Sequence, residues 1–440
     1  MPPTRKPRQS ASPTTSRACA QAALEAVLRK GRNIADALFD RQPAFAALAS
    51  RDRAFARLLV LTTLRRLGQL DDAIDGLLEK PLPARRAPVR DILRLGAAQL
   101  LFLNTPAHAA VDGAVTLTAK SRHAALKGLV NALLRRLARE GTTLLAKQDA
   151  ARLNTCDWLW HSWSENYGEE TCRAIAAAHM AEPPIDLSFK QAASEWVARL
   201  GAEEMPGGTL RLRRAGAPDS LEGYDAGAWW VQDLAATLAA RLLGDVRGQH
   251  VIEIGAAPGG KTAQLAAAGA LVQALDRSPA RLARLRQNLE RLGLTANIVE
   301  ADGETWRPDE LADALLLDAP CSATGTIRRH PDIMWRRQPE DVAELADRQS
   351  RLLDAAFKML KPGGVLVYAV CSLEPEEGPE RIEKFLLSGA PAERVAIAAD
   401  EVSGLAEALT AAGDLRTLPC HLAAQGGMDG FYAARLRRTF

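Results

Sequence analysis

The sequence predicts a multidomain chain: an all-α bundle, a small α+β module, and a C-terminal α/β domain on a doubly wound parallel sheet of Rossmann-like type. Helical spacing with interleaved arginines runs from residue 17 to about 145, predicting the bundle. From about 226, short apolar runs alternate with helical ones, predicting parallel strands with crossover helices. At 440 residues the chain is too long for one ordinary core.

Taken in order, MPPTRKPRQSASPTTSR is basic and rich in Pro, Ser and Thr, and it lacks the apolar core of a secretory signal. A disordered tail is expected over residues 1–16. Over 17–145, RACAQAALEAVLRK, RDRAFARLLVLTTLRRLGQLDDAIDGLLEK, ILRLGAAQLLFL and LKGLVNALLRRLARE repeat apolar residues at three- and four-residue spacing. Pro43, Pro81, Pro83 and Pro106 mark the turns. Over 146–225, the tryptophan-rich CDWLWHSWSENYGEE and a helical EETCRAIAAAHM precede the break at Pro183–Pro184. IDLSFK and TLRLRR then alternate like strands around a helical ASEWVARLG. The indoles there would either fill a small core or stack on bases.

The domain expected over 226–440 opens with helix VQDLAATLAARLL and strand VIEI. Strands LVQALD, NIVEAD, ALLLDAP and VLVYAVCS follow, with KPGG turning the chain before the last. The end, LRTLPCHLAAQGGMDGFYAARLRR, reads as a β-hairpin closing the sheet edge.

Composition narrows the function. The formal net charge of +3 hides an asymmetry: residues 1–150 carry 25 Lys/Arg against 12 Asp/Glu, a net +13, leaving −10 for the rest. A basic module on an acidic one fits a polyanion docking on the first half, although arginines solvating helix faces would look the same. The six cysteines form no C-x-x-C pair and the seven histidines have no metal-ligand spacing, so a reducing cytoplasm is expected and no metal. No stretch approaches the roughly 20 apolar residues of a membrane span, and no oligomer is implied.

The chemistry concentrates at strand ends. The loop Gly255, Ala256, Ala257, Pro258, Gly259, Gly260, Lys261 lies between a strand and a helix, where small residues let backbone approach a ligand. It is neither a dinucleotide nor a triphosphate fingerprint. Asp276 ends the next strand, placed to accept hydrogen bonds from ribose hydroxyls, and Asp302 ends the third, where an adenine edge would be met. Each aspartate alone reads equally as a cap or turn residue. Loop, acid and acid on successive strands favour an adenosine ligand, and S-adenosylmethionine over NAD because no pyrophosphate loop is present.

Cys321 and Cys371 each end a short apolar run, so both thiols should sit in the crevice at the strand tips. A lone buried cysteine is ordinarily inert. Two beside a methyl donor fit one particular chemistry. Thiolate addition at C6 of cytosine makes C5 nucleophilic, and a base then removes the C5 proton so that the thiol leaves. Asp318 would hydrogen-bond the base edge at N3 or N4.

EIGAAPGGKT, ALDRS, EADG, DAPCSATGTIRRHPDI, YAVCSLEPEEG and GMDGFYAARLRR together resemble the RNA 5-methylcytosine methyltransferases. RDRAFARLLVLTTLRR, TPAHAAVDGAV and LVNALLRR resemble a NusB-type RNA-binding bundle. The combination resembles the bacterial small-subunit ribosomal RNA cytosine-5 methyltransferases, and covers nearly the whole chain. That resemblance implies Cys371 as nucleophile and Cys321 as assisting product release. It implies Gly255 to Lys261 with Asp276, Asp302 and Asp318 around S-adenosylmethionine and the base, and ribosomal RNA as partner. Four departures stand out: Glu253-Ile254-Gly255 for Asp-Leu-Cys, Ala323 for a glycine, Gly378-Pro379 for Asn-Glu, and LSFK lacking Arg-Val-Asn. The same chemistry on transfer RNA, or a non-catalytic RNA-binding assembly factor, are the alternatives.

Overall fold

The computed structural model describes residues 15–35, 43–191, 193–213 and 216–439. Of the tail expected over 1–16, residues 1–14 lie outside the described residues. Thr15 instead caps helix Ser16–Lys30, its hydroxyl accepting from Ala18 N at 3.2 Å. The chain divides into two compact units, one of 1–156 with 330–336 and one of 157–329 with 337–440.

The first unit is helical. Its longer helices are Ser16–Lys30, Ser50–Arg65, Leu67–Asp75, Ala87–Leu101, Ala107–Ala119 and Lys127–Leu145. Helix continues past residue 145 with Ala150–Leu153, capped by Asp149, which accepts from Arg152 N at 3.1 Å. Apolar stripes from each helix meet in one core that includes Leu24, Leu59, Val60, Ile74, Leu93 and Leu134. Close approach needs small residues: a Cβ on Gly96 would come within 2.6 Å of the Leu134 side chain. Asp91 is buried there between Arg29 at 2.6 Å and Arg94 at 3.1 Å. Segment 330–336 joins this unit from far along the chain. Trp335 Nε1 donates to Leu64 O at 2.8 Å, and Ile34 N donates to Asp332 Oδ2 at 3.3 Å.

The second unit begins with helices Asp157–Tyr167 and Glu169–Met180 and contains two sheets. The small sheet comprises β1 (Ile185–Phe189), β2 (Glu203–Met205), β3 (Thr209–Leu212) and β4 (Trp229–Val231), all antiparallel in the order β2-β3-β1-β4. Residues 157–225, expected as part of a separate module, thus lie in the same unit as the large sheet. Trp163 and Trp229 are fully buried, so these indoles fill cores. The helix expected from Val231 starts later. Val231 pairs with Leu187, and Asp233 accepts from Ala235 N at 3.0 Å to cap helix Leu234–Arg241.

The large sheet holds β5 (His250–Ile254), β6 (Leu271–Asp276), β7 (Asn297–Glu300), β8 (Ala312–Asp318), β9 (Leu360–Val370), β10 (Ala392–Arg394), β11 (Leu415–Thr417) and β12 (Phe431–Arg438). Its order is β10-β12-β9-β8-β5-β6-β7, with β5 to β9 parallel and the β12 pairings antiparallel. The central strands are near-continuous apolar runs because helices cover both faces. KPGG does not precede the last parallel strand: Ala312 pairs with Leu360 and Ala314 with Val365, so residues 361–364 bulge out of β9. The terminal hairpin does lie at the sheet edge, β11 pairing antiparallel with the start of β12 on the side away from β9. It shares that edge with β10, which pairs the other end of β12. Among the described residues no helix is long and apolar enough to cross a membrane.

Candidate active site

The strand order reverses between β5 and β8, which opens a crevice at their carboxyl ends. The loop after β5 is anchored at that point. Gly255 N and Ala256 N both donate to Leu275 O, at 2.9 and 3.0 Å. Gly255 has φ +82° and passes so close to β8 that a Cβ would lie 2.2 Å from Asp318 O. Ala257 N donates to Asp276 Oδ2 at 3.3 Å, and Asn288 Nδ2 donates to Pro258 O at 2.9 Å. Gly259, at φ +104°, caps helix Gly260–Ala267.

Asp276 is buried, accepts from Ser278 N at 2.9 Å, and pairs with Arg281 at 3.3 Å. A carboxylate has about four acceptor positions, so capacity remains for a ribose hydroxyl. Asp302 is more open, its side chain 42% exposed, and it meets Arg348 at 3.4 Å. Its neighbour Gly303 lies against the tip of β5, where a Cβ would come within 2.8 Å of Ile254.

Lys261 and Asp318 form an ion pair at 2.8 Å between the glycine loop and the end of β8. Burial works against the Lys261 charge, but the Asp318 carboxylate outweighs it and raises the ammonium above its ordinary range. Glu253, the longer acid at the departure from Asp-Leu-Cys, is fully buried and accepts from Thr262 Oγ1 at 2.6 Å. Desolvation pushes it up to about 8.

The two thiols meet. Cys321 Sγ and Cys371 Sγ are 3.5 Å apart. The hydrogen bond to Cys371, reinforced by burial, holds the proton on Cys321 well above the ordinary thiol range. Two cations border the thiols, Lys261 paired with Asp318 and Arg329 paired with Asp429.

A buried polar frame holds both cysteines. Ser322 Oγ and Ser372 Oγ are 3.0 Å apart. Ser322 N donates to Glu377 Oε1 at 2.8 Å and its hydroxyl donates to Glu377 Oε2. Gln349 Nε2 reaches Glu377 Oε1 at 3.0 Å, and Tyr368 OH reaches Gln349 Oε1 at 3.1 Å. Arg416 stacks on Tyr432 at 5.0 Å and donates to Ser372 O. The departure at Gly378 makes room for it: a Cβ there would lie 2.7 Å from the Arg416 guanidinium. The sequence alone singles out neither the serines, Glu377, Gln349 nor Arg416. Their partners are tens of residues away in the chain, and only the serines beside each cysteine carry a local signal.

The Ala323 departure also has a structural meaning. Its φ is +62° and its ψ 25°, the left-handed region that favours glycine. Ala323→Gly is therefore expected to raise stability by about 1 kcal/mol in urea unfolding, relief of strain exceeding the added chain entropy.

Glu374, two residues after Ser372, is clamped by helix Asp157–Tyr167. It accepts from Ser162 Oγ at 2.5 Å and Trp163 Nε1 at 3.1 Å. Desolvation pushes it from an ordinary 4.5 up to about 7. A carboxyl raised in the folded state stabilises below its unfolded value and loses that contribution as pH rises through the folded one. Relative to Glu374→Gln, the wild-type protein is thus expected to lose about 2 kcal/mol of stability between pH 5 and pH 8. Urea unfolding of both proteins at the two pH values measures it.

Known proteins resemble this chain along most of its length. Residues 240–437 match the family described as 16S rRNA methyltransferase RsmB/F, and residues 14–139 match the NusB family. A ribosomal RNA small subunit methyltransferase B from Enterobacter sp. (strain 638) is 37% identical over 391 residues, which cover 84% of this chain and 90% of that protein. The crystal structure of PH0851 superposes with a TM-score of 0.74 at 22% identity, covering 98% of this chain and 100% of the other. NSun6 from Pyrococcus horikoshii, solved with SFG, gives a TM-score of 0.56 at 20% identity, over 65% of this chain and 98% of that one. These two likenesses are likenesses of fold.

Proposed function

Because the chain belongs to the RsmB/F family of 16S rRNA methyltransferases, we propose that it methylates C5 of a cytosine in 16S rRNA through a covalent bond between Cys371 and C6. S-adenosylmethionine is the cofactor, and it supplies an electrophilic methyl group when bound. The loop's fit to it rests on Gly255 and Gly259, whose positive φ brings backbone close at the strand tip. Asp276 and Asp302 offer carboxylates to the adenosine, as read from the sequence.

The observation that carries the proposal is the sulfur pair 3.5 Å apart beside the Lys261–Asp318 ion pair. Cys371 Sγ adds to C6, and the electron pair pushed onto the ring makes C5 able to accept a methyl group. Asp318 hydrogen-bonds the pyrimidine edge while Lys261 balances its charge. Adduct formation converts the Cys371 sulfur to a neutral thioether, and the interaction that held the proton on Cys321 disappears. Cys321 then loses its proton to solvent, its thiolate takes the C5 proton, and the S–C6 bond breaks as the ring double bond returns, leaving the Cys371 thiolate.

Ribosomal RNA is the partner. A paired cytosine must be flipped out or lie in a loop to reach a sulfur in the crevice at the strand ends. We place the reaction in the cytoplasm with that substrate. The test is incubation with methyl-labelled S-adenosylmethionine and 16S rRNA or, in parallel, transfer RNA, followed by nucleoside analysis of each. Label in 5-methylcytidine is the expected result. Label in another nucleoside, in transfer RNA alone, or binding without transfer would overturn the reading.

A further inference from the structure

A half-open cavity is bordered by the far end of the helix Gly260–Ala267 that begins at the glycine loop. Its volume is about 360 Å³, and its lining includes Ser188, Thr209, Trp230, Arg241, Gln264 and Lys190. The register of the small sheet explains the grouping. Ser188 on β1 sits opposite Trp230 on β4, and the β1–β3 pairing of Leu187 with Leu210 puts Thr209 on its other side.

Ser188 is 8% and Thr209 1% exposed, yet neither hydroxyl has a hydrogen-bond partner. Buried hydroxyls are ordinarily paired, and an orphan calls for an explanation. These two stand side by side and line the same void. The polar groups nearby are otherwise occupied: Trp230 Nε1 donates to Gln232 Oε1 at 2.7 Å, and Gln264 Nε2 donates to Thr237 O at 2.9 Å. Gly207 lets the Arg241 guanidinium lie at the rim, since a Cβ there would be 1.9 Å from it. Lys190 and Arg241 give the lining two cations, and it includes no carboxylate. Lys190 donates to Leu292 O at 2.7 Å, and Arg241 donates to Gly207 O and to Ser403 Oγ at 3.3 Å.

We propose that this cavity is a nucleotide-binding site, with a phosphate group accepting from the Ser188 and Thr209 hydroxyls and the Arg241 guanidinium. The volume exceeds what phosphate needs and leaves room for a sugar or base against Trp230 and Phe189. The nucleotide comes either free or as one residue of an RNA chain. The site is separate from the cysteines, so its failure would leave the methyl-transfer reading intact.

The test compares wild-type protein with the Ser188→Ala, Thr209→Val double variant. Equilibrium dialysis measures 5′-AMP, and fluorescence anisotropy measures a labelled uridine hexanucleotide. The double variant should bind at least one of them about tenfold more weakly, as expected for lost hydrogen bonds to a charged group. Its S-adenosylmethionine affinity should be unchanged. Its thermal stability should be equal or higher, because orphan hydroxyls are removed. Weakened AMP binding identifies a free nucleotide, and weakening confined to the hexanucleotide identifies one within RNA. Unchanged affinity for both, with the variant folded, overturns the proposal.

Discussion

Replacing Cys371 by alanine is expected to lower methyl transfer to RNA by about 10⁴-fold or more, with S-adenosylmethionine binding retained. The expectation follows from its position. Cys371 directly follows β9, its sulfur lies 3.5 Å from a thiol that keeps its proton, and it shares the crevice with the cations Lys261 and Arg329. No other described nucleophile has that combination. Cys321→Ala should behave differently, forming product slowly because the step it assists comes after the carbon–sulfur bond has formed. Single-turnover kinetics with labelled cofactor separates the two variants, and a Cys371→Ala enzyme within tenfold of wild type would refute the assignment.

Arg211→Met is expected to cost about 3–5 kcal/mol of stability, the largest structural effect of any single change considered. Arg211 and Asp186 are 0% and 1% exposed and bind through two parallel hydrogen bonds of 2.7 Å each. Arg211 also donates to Gly427 O at 2.7 Å, while Asp186 accepts from Leu234 N at 3.0 Å at the start of helix Leu234–Arg241. The pair therefore ties the small sheet to the turn before β12. Removing the guanidinium leaves a carboxylate in a dry interior, and burial already raises Asp186 above its ordinary range. The double variant with Asp186→Asn should recover part of the loss, because the stranded charge is gone. A single-variant loss under about 1 kcal/mol in urea unfolding would show that water reaches the site.

The features legible in the sequence are those whose signal is local. β5, β8 and β9 are covered on both faces, so they appear as near-continuous apolar runs, and the cysteines are conspicuous because they follow such runs. The glycine loop is readable for the same reason, since Gly255 and Gly259 must adopt positive φ where the strand turns into the helix. Long-range pairings leave no such mark. Glu377 looks like one more surface acid in EPEEG, yet it is buried beneath Ser322, and its function as a frame depends on a partner fifty-five residues away. Arg416 reaches Ser372 only because Gly378 leaves space, a compensation that no spacing rule displays. The IRRHPDI motif is visible as a likeness, but the passage of residues 330–336 into the helical unit is not, because Trp335 and Asp332 act through partners at Leu64 and Ile34. Ala323 stands out in the sequence as a departure, and its φ supplies the reason.

The most direct test traps the carbon–sulfur bond. Cys321→Ala protein incubated with 16S rRNA and S-adenosylmethionine should yield an RNA-linked species that survives denaturing electrophoresis. The same incubation with the additional Cys371→Ala change should yield none. A stable adduct that persists without the Cys371 sulfur, or rapid turnover by Cys371→Ala with no adduct in either protein, would contradict covalent catalysis at this site.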